Sequence, residues 1–332
     1  MTKKNDENLT RREFAARAGK AALAIAVAGA GSYLLYDKKG PKPGIASKDL
    51  VTLPNFAIPQ LPGKEMSIVK GSDRVKTVNK AIELLGGIER FVKPGERVAI
   101  KPNVAFASPP AFGATAQPEL VAEVVRLCYS RGRAKKVIVV DNPINDPASC
   151  FTITGIAKAV TEAGASVIFP KADLFRNTTL ATGELIQNWP ILFEPFKNID
   201  KLIGIAPVKD HHRSGASMSM KNWYGLLGGR RNIFHQDINT IIAELAMMVK
   251  PTLVILDGTE TMVTNGPTGG SLSDLKRTNT LIASTDCVAA DSYGCSLLGL
   301  KPSDLPYLAK AEKANAGTTD YNLLKPIFAS VS

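Results

Sequence analysis

Three histidines occur in this chain of 332 residues, and all of them fall between Lys209 and Asp237. His211, His212 and His235 share that window, KDHHRSGASMSMKNWYGLLGGRRNIFHQD, with Lys209, Lys221, Arg230 and Arg231. Imidazole is the side chain that titrates near neutrality, so it can move protons or bind metal. Lysine and arginine beside it can hold carboxylates or phosphates, and a desolvated lysine becomes a reactive amine. Consecutive residues of an extended segment face opposite ways, so His211 is assigned inward as the acid/base candidate and His212 outward. Lys221, followed by Asn222 and Trp223, is the second catalytic candidate. Lys209 and Asn222 would anchor an anion or cofactor. His235, just ahead of a helical pattern, is a metal candidate, and it suits capping or packing equally.

The same residue types recur where apolar runs end. VAIKPN ends in Lys101 and Asn103, VIVVDN in Asp141 and Asn142, and IGIAPVKDHH in Lys209, Asp210 and His211. LVILDGTE ends in Asp257 and Glu260, and LIASTD in Ser284 and Asp286. Ligands of open parallel sheets bind outside the carboxyl ends of the strands, so these endings are expected to converge. Lys101 and Asn103 join the cofactor-binding candidates, and Asp257 is paired with His235 as the metal candidate. Asp257, Asp286 and Asp291 are also oxygen donors suited to a hard cation, while Asp286 reads equally as a helix N-cap.

Other chemistries lack their residues. TNGPTGG, residues 264–270, has neither the order of a phosphate-binding Walker loop nor that of a dinucleotide fingerprint; it is an anion cradle or a turn. No G-x-S-x-G elbow is present for a serine hydrolase. Cys128, Cys150, Cys287 and Cys295 form no C-x-x-C pair, which argues against an iron–sulfur cluster. Cys287 and Cys295 stand about 12 Å apart along a helix, too far for a disulfide. All four read as buried apolar residues.

The elements that must position these groups alternate. Strands are expected at MSIVKG, RVAIKPN, KKVIVVDN, ASVIFP, KLIGIAPVK, TLVILDG and NTLIAST, with helices over residues 73–90, 118–131, 154–163, 237–249, 286–298 and 303–315. This rhythm implies parallel βαβ units and an α/β fold with mostly parallel sheets and flanking helices. Two arrangements remain open: two Rossmann-like lobes, residues 65–195 and 196–332, or one sheet with a large insertion. Residues 171–200 lose the rhythm. Residues 37–64, with five prolines, read as a tether running over the surface.

The formal charge is +11, and removing residues 1–30 leaves +8. That excess favours anionic partners. No nucleic-acid motif accompanies it; the charge alone does not choose among anionic substrates, cofactors and surfaces, and a small anionic molecule is the ligand expected at the strand ends. Residues 1–36 resemble a twin-arginine export segment: Thr10-Arg11-Arg12-Glu13-Phe14, then an apolar run, then Ala28-Gly29-Ala30 as a cleavage triplet. Ala16 stands where a lysine is common. The resemblance implies the twin-arginine translocation machinery as a partner and a periplasmic location. The run is about 16 residues against roughly 20 for a span, so contact with the membrane would come only through an uncleaved segment.

KPN, KDHH, MKNWYGLLGG, His235, LDGTETMVTNGPTGG and STDCVAADSYGCSLLG, in that order from about residue 66 to 318, resemble the bacterial family known as domain of unknown function 362. The resemblance implies a fold more than an activity. Some members carry a ferredoxin module, whose cysteines this chain lacks. A more distant likeness is to the nickel-pincer lactate racemase family, which uses a histidine for proton transfer, a lysine to anchor the pincer and a later histidine for nickel. His211, Lys221 and His235 have that order, ten and then fourteen residues apart, but no histidine precedes His211 to match the family's earlier catalytic one. A non-catalytic periplasmic binding or assembly protein would use the same basic crevice without turnover.

Overall fold

A computed structural model of the protein describes residues 50–332, together with Gly19 and Lys20. The export segment proposed for residues 1–36 and the first part of the tether, residues 37–49, lie outside the described residues apart from that pair. Among the described residues, no helix is long and apolar enough to cross a membrane.

From Met66 the chain lays down strand β1 (Met66–Lys70), helices α1 (Arg74–Leu84) and α2 (Ile88–Phe91), and β2 (Arg97–Pro102). The single helix expected over residues 73–90 is broken because Gly86 and Gly87 take positive φ, 102° and 80°, which an L side chain rarely adopts. Helix α3 (Pro118–Ser130) starts at Pro118 as expected, and β3 (Lys136–Val140), α4 (Pro147–Ile153), α5 (Ile156–Glu162) and β4 (Ser166–Ile168) follow. Residues 171–200 hold an antiparallel pair, β5 (Phe175–Thr178) and β6 (Trp189–Leu192). Then come β7 (Lys201–His211), β8 (Gly215–Ser217), the short α6 (Ser219–Asn222), α7 (Ile238–Met248), β9 (Leu253–Met262), β10 (Leu275–Ser284), α8 (Cys287–Leu297), α9 (Pro306–Lys313) and β11 (Ile327–Ser330).

Of the two arrangements left open, the single sheet is found. Its order is β11-β1-β10-β9-β7-β2-β3-β4, with β8 hairpinned onto β7. The run β9-β7-β2-β3-β4 is parallel, while β10 is antiparallel to both β9 and β1. The inner parallel strands β9, β7, β2 and β3 are buried on both faces, and alternate residues enter two different cores. Ala99, Ile138, Leu202, Ala206, Val254 and Leu256 pack in one core, with α7, α8 and α9. Val98, Ile100, Val137, Val139, Ile203, Leu253 and Ile255 pack in the other, with α1, α3 and α5.

The second half of the expected tether is not a free surface strand. Leu53 and Phe56 are buried, Val51 N–H donates to Asn177 O at 2.9 Å, and Phe56 N–H donates to Lys250 O at 3.0 Å. Two apolar residues among the prolines supply enough contact to dock the segment. Phe56→Ala is therefore expected to cost about 3–5 kcal/mol in chemical denaturation; no change in the unfolding midpoint would mean that the segment contributes nothing to the fold.

Candidate functional site

The carboxyl ends of β2, β3 and β7 open into a cavity of about 660 Å³. Lys101 and Asn103 come from the end of β2, Asp141 and Asn142 from the end of β3, and Lys209, His211 and His212 from the end of β7. Lys221, Asn222, Tyr224, Arg231 and His235 come from α6 and the turns after it, and the glycine-rich segment Asn265–Thr268 closes the rim. Pro207 has no N–H for the ladder, and the register of β7 against β9 shifts between Pro207 and Lys209. The extra residues of that irregularity lie in β9, which advances from Asp257 to Met262 while β7 advances from Pro207 to Lys209.

Lys101 is the paired cation. Its Nζ lies 2.7 Å from Asp141 Oδ1 and donates to Asn222 Oδ1 at 2.8 Å and Pro102 O at 3.2 Å. Asp141 also accepts from Val104 N–H and Asn142 N–H. Burial holds the Lys101 ammonium below its usual range, and Asp141 pulls it back up. Gly225 passes directly over this pair: a Cβ there would stand 2.1 Å from Asp141 Oδ1 and 2.8 Å from Lys101 Nζ, so only glycine fits.

The other cations have no carboxylate within ion-pair distance among the described residues. Lys209 is 1% exposed, donates to Ala114 O at 2.6 Å and Asn103 Oδ1 at 3.4 Å, and points its Nζ at the Phe106 ring. Burial, then the charge of Lys221, pushes Lys209 down to about 7, against an opposing pull from Asp141. Lys221 sits part-buried with its Nζ 5.2 Å from the Tyr224 ring centroid; burial, then Arg231, lowers it to about 8. Arg231 is buried and gives its guanidinium hydrogens to the carbonyls of Pro143, Leu227 and Tyr224.

The position of Lys221 is fixed from beneath by Asp291. This fully buried carboxylate of α8 accepts from Ser219 N–H at 2.8 Å, Met220 N–H at 3.1 Å and the Ser219 hydroxyl, which are the first groups of α6. Burial raises Asp291 to about 7 against those hydrogen bonds. Asp286 caps α8 through Val288 and Ala289 N–H. Neither carboxylate lines the cavity, so the hard-cation reading of Asp286 and Asp291 gives way to structural roles.

The imidazoles stack in a row. His211 lies 5.0 Å from His212 and 6.3 Å from His235 between ring centroids. His211 Nδ1 accepts from the backbone N–H of Arg213 and Ser214, so the proton of the neutral ring is on Nε2. Burial, then Lys221, holds its imidazolium far below the usual range. His211 is thus a fixed neutral donor, which corrects its reading as an acid/base: it has neither a free lone pair nor an accessible charged form. His212, exposed at the rim, and His235 have Nδ1 against carbonyls, Gly266 O and Asn232 O respectively. A carbonyl only accepts, so in both rings the lone pair is on Nε2. His235 Nδ1 also lies 3.1 Å from the Tyr224 hydroxyl, which itself donates to Arg231 O.

Seven of the eight sequence candidates, Lys101, Asn103, Lys209, His211, Lys221, Asn222 and His235, line this one cavity. Asp257 does not. In β9 it falls on the face of Leu253 and Ile255, under α1, where Arg74 Nε holds it at 2.7 Å. The pairing of Asp257 with His235 as metal ligands is therefore corrected. His211 has no free nitrogen and Asp141 is taken by Lys101, which leaves Nε2 of His212 and of His235 as the uncommitted imidazole nitrogens of the cavity. Among the described residues no group of three His, Cys, Asp or Glu side chains could hold a metal ion. Asp141 and Tyr224 were not singled out as site residues, although Asp141 stands at a strand end like Lys101, and Tyr224 is one helical turn from Lys221.

Residues 98–296 match the family described as domain of unknown function 362. The chain belongs to that family. A curated relative, the thylakoid-associated protein sll1697 of Synechocystis sp. (strain ATCC 27184 / PCC 6803 / Kazusa), is 29% identical over 259 residues, which are 74% of this chain and 76% of that protein. Among solved structures, the lactate racemase apoprotein from Thermoanaerobacterium thermosaccharolyticum aligns at 13% identity with a TM-score of 0.40 over 74% of this chain and 61% of that one. A Thermotoga maritima protein aligns at 14% identity and 0.38, over 68% and 59%. The chain thus spans about three fifths of either solved structure.

Lowered lysine pKa values carry a definite sign. Lys209, at about 7 when folded and 10.5 in its ordinary state, binds fewer protons folded than unfolded between those values. Its contribution to stability is full above 10.5 and is lost as pH falls toward 7. Denaturant-derived stability of the wild type is expected to climb more steeply between pH 7 and 9 than that of Lys209→Met, by up to about 1.4 kcal/mol per pH unit. Parallel slopes would show that Lys209 is an ordinary ammonium.

Proposed function

We propose that the protein is an exported α/β protein that captures a small organic anion, a carboxylate or phosphate, in the cavity at the strand ends. One observation carries this reading. Five cationic side chains line the cavity (Lys101, Lys209, Arg213, Lys221 and Arg231) against one acid, Asp141, already committed to Lys101. A bound anion supplies the missing countercharge, and the Nε2–H of the buried His211 gives it a neutral donor. Export is supported by Arg11-Arg12-Glu13-Phe14 and the apolar run that follows; the name of the thylakoid-associated relative is compatible with it. The translocation machinery would then be the chain's partner, and the periplasm its location.

Titration calorimetry with succinate and with glycerol 3-phosphate tests the cavity. Saturable binding of one of them is expected, weakened about tenfold or more in Arg231→Gln, in line with the loss of a charge-assisted contact. If neither anion binds, or Arg231→Gln binds as the wild type does, the cavity is not an anion site. For export, residues 1–36 fused to a reporter should deliver it to the periplasm, and Arg11→Lys with Arg12→Lys should abolish delivery. Unchanged delivery would rule out the twin-arginine route.

A further inference from the structure

The three cavity lysines differ in what their ammonium hydrogens touch. Lys101 gives its hydrogens to Asp141, Asn222 and Pro102. Lys209 gives its to Ala114 O and Asn103. Lys221 has no carboxylate within ion-pair distance and no acceptor oxygen within hydrogen-bond distance among the described residues; its contact is the face of Tyr224. It rides on α6, whose first groups are gripped by the buried Asp291. A rigid turn therefore presents an uncommitted amine to a cavity whose other cations are already in place.

We propose that Lys221 is a covalent site, whose amine condenses with the carbonyl group of a small aldehyde or 2-oxo compound that also carries a carboxylate or phosphate. This deepens the anion reading and rests on it, because Arg231 and Arg213 would receive the charged end. The Nζ lone pair adds to the carbonyl carbon while the carbonyl π pair passes to oxygen, which takes a proton. The nitrogen gives up a proton, leaving a carbinolamine. The hydroxyl then takes back the proton that nitrogen gave up, the C–O bond breaks, the oxygen departs as water, and the nitrogen lone pair closes the C=N bond as a protonated imine. No electrons are gained or lost, and water is the sole by-product.

The surroundings suit each transfer. The Nε2 lone pair of His235 is left free by the contacts of Nδ1 and can take the proton from nitrogen. The Nε2–H of His211 can donate a hydrogen bond to the carbonyl oxygen. Addition also requires a neutral amine, and the two unpaired lysines supply the condition together. Burial and neighbouring cations bring Lys221 to about 8 and Lys209 to about 7. A desolvated lysine beside another cation is a known route to an amine nucleophile. Lys209 is the poorer candidate for the bond itself, because a backbone carbonyl at 2.6 Å already claims it.

The test is reductive trapping. Full-length protein is incubated with succinic semialdehyde or glyceraldehyde 3-phosphate, reduced with borohydride, and mapped by peptide mass spectrometry. One reduced adduct per chain on Lys221 is expected, at least about tenfold above any surface lysine, since each unit of lowered pKa gives tenfold more free amine, and above Lys209 because Ala114 O already holds that ammonium. Trapping should rise with pH through a midpoint near 8. The better-trapped compound tells carboxylate from phosphate. Lys221→Arg, confirmed as folded by circular dichroism and its melting curve, should lose the adduct. The carbonyl-free partners, succinate and glycerol 3-phosphate, separate the two claims. If they bind and no Lys221 adduct forms, covalent capture is overturned and the anion site stands. If they do not bind and no adduct forms, both fall. Adducts at the wild-type level in Lys221→Arg, on Lys209 or on surface lysines, also overturn the proposal.

Discussion

Removing an ammonium group from water costs several kcal/mol unless a carboxylate and well-placed acceptors replace the lost hydration. The cavity meets that demand for Lys101, with Asp141 and Asn222, and leaves it unmet for Lys209 and Lys221. Such groups give up their protons more readily, and burial with neighbouring cations pushes Lys209 down to about 7 and Lys221 down to about 8. The proposed function rests on this imbalance. The cavity is a place where positive charge has been assembled beyond what the protein itself neutralises. Under the proposed function, a ligand with negative charge would complete the pairing.

The fold holds that arrangement against its own repulsion. Lys101, Asp141 and Lys209 leave β2, β3 and β7, three neighbouring strands of one sheet, so their spacing is set by the backbone ladder. Asp291 seats α6 through its first amides, and the Gly225 turn closes over the Lys101–Asp141 pair where no Cβ would fit. Backbone N–H groups of Arg213 and Ser214 lock the tautomer of His211.

The strand ends were readable because apolar runs with period-two burial stop abruptly in Lys, Asn, Asp and His, and a parallel sheet sends such ends to one rim. Hence Lys101, Asn103, Lys209 and His211 meet, and Lys221 and His235 join them from α6 and the turns after it. Asp257 was not readable: its run ends the same way, but the pleat turns it to the opposite core, where Arg74 waits, and a single residue of parity decides that. Residues 50–64 looked like a tether because prolines dominate, while the docking rests on Leu53 and Phe56. The break after α1 was hidden in two glycines inside an otherwise helical pattern. Which nitrogen of His211 carries its proton depends on a turn three residues long, and no pattern of residue types encodes it.

The most direct measurement is the proton balance of anion binding. Calorimetry of succinate or glycerol 3-phosphate at pH 8, repeated in buffers of different ionisation heat, counts protons taken up with the ligand. Because Lys209 and Lys221 are partly neutral at that pH and a bound anion favours their charged forms, net proton uptake should accompany binding and shrink in Lys209→Met. Binding with no proton uptake would mean that these lysines already carry full charge, and the excess of unpaired cations on which the account depends would not exist.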